Sequence, residues 1–86
     1  MSNPTVPTAI VTGASRGIGR GIALGLARQK FNVVINYASN AAAAEEVRKA
    51  IEALGARGHI VQADVSVAAD RQKLVDETIR TFGGIT

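Results

Sequence analysis

Three short apolar runs alternate with three longer stretches in which apolar residues return every three or four positions. Residues 8–11 are almost wholly apolar, as expected for a strand covered on both faces. Helical spacing follows over residues 17–30, with Ile18, Ile22, Leu24, Leu26 and Ala27 as its apolar members. Residues 31–35, rich in β-branched side chains, predict a second strand. Asn40 is placed to cap a helix reaching Leu54, whose stripe is Ala43, Val47, Ala50, Ile51 and Leu54, and Gly55 suits its stop. Residues 59–63 predict a third strand. Ser66 is placed to cap a last helix with Leu74, Val75, Thr78, Ile79 and Phe82 on one stripe and Gly83-Gly84 at its end. The order β-α-β-α-β-α with short connections predicts an α/β fold, a parallel sheet between two helical layers.

Gly17, Gly21 and Gly25 recur at every fourth position and share one face of the first helix. An interior helical glycine costs up to about 1 kcal/mol relative to alanine, which suggests that this face lies very close to the sheet, with helix–helix contact as the bland alternative.

Between the first strand and that helix stands Thr12-Gly13-Ala14-Ser15-Arg16-Gly17-Ile18-Gly19. A tight glycine turn opening a helix is an anion site, because the first helical amides have no internal partner and the dipole is positive there. Gly13 suits a sharp strand-to-helix turn. Gly17 and Gly19 lack a Cβ, so a pyrophosphate can come close. The spacing is not G-x-G-x-x-G, since Ile22 stands where the last glycine would be, and no Gly-Lys-Ser/Thr occurs. A dinucleotide phosphate is the ligand this turn suggests; the bland alternative is a glycine turn that binds nothing.

In an open parallel sheet the ligand lies at the carboxyl ends of the strands. Those ends are the glycine turn, Asn36-Tyr37-Ala38-Ser39 and Asp64-Val65. A site for NAD usually carries an acid about 20 residues past the turn. Here Asn36 stands near that place, and no Asp or Glu precedes Glu45. Arg16 would stabilise a ribose 2′-phosphate, with Asn36 and Ser39 as neutral donors. Charge-assisted bonds contribute about 1.5–3 kcal/mol each, enough to favour NADP(H) over NAD(H). The plain alternatives are a solvated Arg16 and an Asp64 that serves only as a helix cap. Arg20 reads as a solvent-facing charge and His59, far from this edge, as structural.

Composition narrows the classes. Of 86 residues 47% are hydrophobic, which describes a globular chain. No cysteine is present, so disulfides, thiolate metal sites and cysteine nucleophiles are excluded, and no metal site is assigned. No apolar run approaches the roughly 20 residues of a membrane helix, and residues 1–5 are unlike a secretory signal; a cytoplasmic location and no membrane partner are expected. The net charge of +3 comes from scattered Lys and Arg without a basic cluster, which argues against nucleic acid.

The glycine turn, Val34-Ile35-Asn36-Tyr37-Ala38, Ala63-Asp64-Val65-Ser66 and Phe82-Gly83-Gly84-Ile85 together resemble the short-chain dehydrogenase/reductase family, most of all its NADPH-dependent reductases of 3-oxoacyl thioesters or related ketones. The resemblance implies a Rossmann-type three-layer αβα domain. Residues 1–86 would span only its first βαβαβα half, the cofactor-binding portion. It implies that Gly13, Ala14, Ser15, Arg16, Gly17, Ile18, Gly19, Asn36, Tyr37, Ala38, Ser39, Asp64 and Val65 line the cofactor site. Asp64 would meet the adenine amino group through its carboxylate, and Val65 the ring through its backbone. Relatives carry Asn-Asn-Ala-Gly, a catalytic Ser, a Tyr-x-x-x-Lys pair and an Asn further on; none occurs here, so the 86 residues alone are expected to be inactive. The full-length protein is expected to be a homo-oligomer acting on a small carbonyl compound. The competing reading is a non-catalytic dinucleotide-binding or redox-sensing module. In a doubly wound sheet the first strand is central, so residues 8–11 should show one unpaired edge.

Overall fold

A computed structural model describes residues 6–13 and 17–84. Strand β1 (Thr8–Val11) leads to helix α1 (Gly17–Arg28), β2 (Asn32–Tyr37), α2 (Ala41–Ala53), β3 (Gly58–Gln62) and α3 (Ala68–Phe82). The described strands form one parallel sheet in the order β1-β2-β3, with Val11 beside Ile35 and Ile35 beside Ile60. This is the Rossmann-type arrangement expected, with β1 at an edge.

Alternation along β2 divides the core in two. Val33 and Ile35 face α1 and α2, joining Val11, Ala23, Ala27, Ala44, Val47 and Ile51. Val34 faces the opposite side with Val61, Ala63 and Leu74, under α3. All of β2 except Tyr37 is buried, as a middle strand covered on both faces should be.

The helix ends follow local chemistry. Asn40 caps α2 as expected, its Oδ1 accepting from the amide of Ala43 at 3.0 Å. Gly55 stops α2 at φ 84°, with the amides of Gly55 and Ala56 donating to the carbonyls of Glu52 and Ile51. The same double bond closes α1 from Lys30 and Phe31 to Ala27 and Leu26, but a lysine holds the left-handed position, at φ 66°.

Three expectations need correction. The inward face of α1 is Ala23 and Ala27, both fully buried, whereas Ile18 is 85% and Ile22 51% exposed. Gly21 and Gly25 lie about 160–200° round the helix from Ala23, and a Cβ on either would meet nothing within 4 Å. Alanines, rather than glycines, set the close approach to the sheet. On α3 the stripe is narrower than its apolar residues suggest: Leu74 and Thr78 are buried, while Ile79 is 49% exposed. Finally, Ser66 does not cap α3. Its amide and hydroxyl both donate to Asp64 Oδ1, so the chain turns first and the helix opens after Val67, without a side-chain cap.

Candidate dinucleotide edge

Level pairing brings the three strand ends to one edge. After Val11 come Thr12 and Gly13; after Tyr37, Ala38 and Ser39; after Gln62, Ala63, Asp64 and Val65. All except the buried Ala63 are exposed. Gly13 and Gly17 take φ values of 63° and 64°, left-handed angles at which a side chain is strained, and neither would find a neighbour for a Cβ. Space is open above both. Helix α1 begins at Gly17 with no acid in its first turn, so its positive dipole end is not opposed by a carboxylate from that turn. Ala14, Ser15 and Arg16 lie outside the described residues. Ile18 and Gly19 stand on that first turn.

The second strand end differs from a simple loop of donors. Strand β2 runs two residues beyond the expected Ile35, so Asn36 lies inside the pairing, opposite Val61, and only 3% exposed. Its Nδ2 donates to the carbonyls of Ala63 at 3.1 Å and Val61 at 3.4 Å. Tyr37 is half-buried against the α1–α2 side of the core. Its carbonyl accepts from the amide of Ala63 at 3.0 Å, and Gln62 Nε2 donates to the carbonyl of Ala38 at 2.9 Å. These bonds lace the loop after β2 to the end of β3.

The third end is a closed turn. Asp64 Oδ1 accepts from the Ser66 hydroxyl at 2.6 Å and the Ser66 amide at 2.9 Å, which hold the Asp64 carboxyl below the usual carboxylate range. Asp70 Oδ2 accepts from the Asp64 amide at 2.8 Å, and Arg71 Nη1 donates to the Val65 carbonyl at 2.8 Å. The supporting roles of Gln62, Asp70 and Arg71 are absent from the sequence reading. Asp70 alone had a visible signal, an acid in the first turn of a helix.

The opposite edge also has a cleft, of about 790 Å³, lined by Lys30, Asn32, Arg57, Arg80 and Phe82 among others. Its walls include the carboxyl ends of the helices, around Gly55 and Gly83, where the dipoles are negative. Its cations are engaged: Lys30 with the Leu54 carbonyl, Arg80 with Glu77, and Arg57 over the Phe82 ring at 5.4 Å. Among the described residues no group of three or more His, Cys, Asp or Glu could hold a metal, and no helix is long and apolar enough to cross a membrane.

The family model for short chain dehydrogenase matches residues 7–86. The chain belongs to that family. It is similar to L-rhamnose 1-dehydrogenase (NADP(+)) of Thermoplasma acidophilum, 43% identical over 90% of this chain and 30% of the relative. It is likewise similar to the 3-oxoacyl-[acyl-carrier-protein] reductase FabG of Staphylococcus epidermidis, 42% identical over 91% of this chain and 32% of that protein. Among solved structures, acetoin dehydrogenase from Enterobacter cloacae superposes with a TM-score of 0.88 at 30% identity, over 96% of this chain and 33% of that one. The chain thus spans about a third of the length of the proteins it matches.

Proposed function

We propose that the chain is the NADP(H)-binding portion of an oxidoreductase that reduces a ketone or 3-oxoacyl thioester to the alcohol. The observation that carries this reading is the level edge: three strand ends meet beside a helix start flanked by two left-handed glycines and free of acids. A pyrophosphate fits that start, received by the amides of Gly17, Ile18 and Gly19 next to Gly13, Ala14 and Ser15. Adenosine then lies across Tyr37, Ala38 and Ser39 toward Asp64 and Val65. Asp64 Oδ1 is already doubly bonded, so the adenine amino group would be met by Oδ2. The Val65 carbonyl already accepts from Arg71, which leaves its N–H and one carbonyl lone pair for a backbone contact. The bound cofactor would supply the hydride, while the present residues bind and orient it.

The NADP(H) preference rests on the missing acid at the end of β2 and on Arg16. The NADP(+) in the name of the rhamnose dehydrogenase accords with it, and the acyl-carrier-protein reductase suggests the substrate class. Comparing Arg16→Ala with the unaltered full-length protein tests the preference. The variant should lose about ten- to hundredfold of its affinity for NADPH and little for NADH. An unchanged ratio of the two affinities rejects the assignment.

A further inference from the structure

Asn36 occupies the place where a phosphate donor is expected, yet both hydrogens of its side-chain amide point elsewhere. One reaches the Ala63 carbonyl at 3.1 Å and the other the Val61 carbonyl at 3.4 Å. Two carbonyl acceptors fix the orientation of the amide, since a flipped side chain would set Oδ1 against both oxygens. What remains is an acceptor oxygen on a side chain 3% exposed, and a phosphate cannot donate to it. The residue that Asn36 grips is next to Asp64. Ala63 is held on both polar groups from β2, its amide by the Tyr37 carbonyl at 3.0 Å and its carbonyl by Asn36.

We infer that Asn36 is a positioning residue for the adenine end of the site: it sets where Asp64 stands and does not touch the 2′-phosphate. The inference rests on the dinucleotide reading above. It moves discrimination between the two nicotinamide cofactors away from Asn36 and gives this residue an equal part in binding either one.

The test uses the full-length protein with Asn36→Val, which keeps strand preference and bulk but removes the donor. The unaltered protein is titrated first with NADPH and NADH; binding of neither would reject the dinucleotide reading itself. Given binding, Asn36→Val should weaken NADPH and NADH by the same factor, about tenfold. Combined with Asp64→Ala it should add little to the loss that Asp64→Ala causes alone, because both act through one contact. A loss confined to NADPH would make Asn36 a phosphate ligand and overturn the inference. So would unchanged affinities, or losses in the double variant that simply multiply. Asn36→Ala, smaller and likewise without a donor, is read the same way if the valine variant does not fold.

Discussion

The ammonium of Lys30, two residues past α1, donates to the carbonyl of Leu54, the C-cap of α2, and so joins the ends of the two helices. A cation on a terminal carbonyl satisfies an acceptor the helix leaves open and complements its dipole. Lys30 does this from φ 66°, an angle that favours glycine. Two effects therefore oppose each other. The bond is exposed and contributes about 0.5–1 kcal/mol, while the left-handed angle costs a side chain about 1 kcal/mol. Lys30→Ala keeps the strain and loses the bond, so urea unfolding should show it about 0.5–1 kcal/mol less stable. Lys30→Gly loses both and should fall within about 0.5 kcal/mol of the unaltered protein. Equal losses in the two variants would mean that the angle carries no strain.

Glycines at the turn and within α1 should respond oppositely to alanine. At Gly13 the φ of 63° is the obstacle even though a Cβ would meet nothing, so Gly13→Ala should cost about 1 kcal/mol or more. Gly21 sits in the helix interior with open space where a Cβ would go. Gly21→Ala should raise stability by about 0.5–1 kcal/mol, through helix propensity. Thermal unfolding of the pair decides the matter: a destabilised Gly21→Ala would restore the close packing first expected of that face.

Acid should weaken the tie between β3 and α3. Arg80 and then His59 hold the Glu77 carboxyl below its ordinary range, with Nε2 of His59 3.4 Å from Glu77 Oε1. A carboxyl depressed in the folded state adds stability that is fully present above its unfolded pKa. That contribution disappears as pH falls through the folded value. The stability difference between the protein and Glu77→Gln should shrink below about pH 5. A difference independent of pH from 7 to 3 would show that the depression is absent.

The element order and most of the elements were legible because they follow from periodicity and caps. Asn40 precedes an apolar stripe and does cap α2; the β-branched run at Val33, Val34 and Ile35 is the buried middle strand. The choice of helix face was not legible. Ile18 and Ile22 outrank Ala23 and Ala27 in hydrophobicity, but small side chains are what allow α1 to approach the sheet, and hydropathy does not record distance. Ser66 reads as a cap until the neighbouring Asp64 carboxylate is seen to take both its donors. Asn36 shows how one boundary changes a role. With β2 ending at Ile35 it would stand in a loop facing ligand; with β2 reaching Tyr37 it is buried and bonded to β3.

Backbone amide spectra of the full-length protein during titration with NADPH distinguish the two edges of the sheet most directly. Binding at the carboxyl ends should shift Gly13, Gly17, Ile18, Gly19, Ser39, Asp64 and Val65, and leave Lys30, Arg57 and Phe82 in place. Shifts confined to Lys30, Arg57 and Phe82, or no shifts at all, would contradict the account.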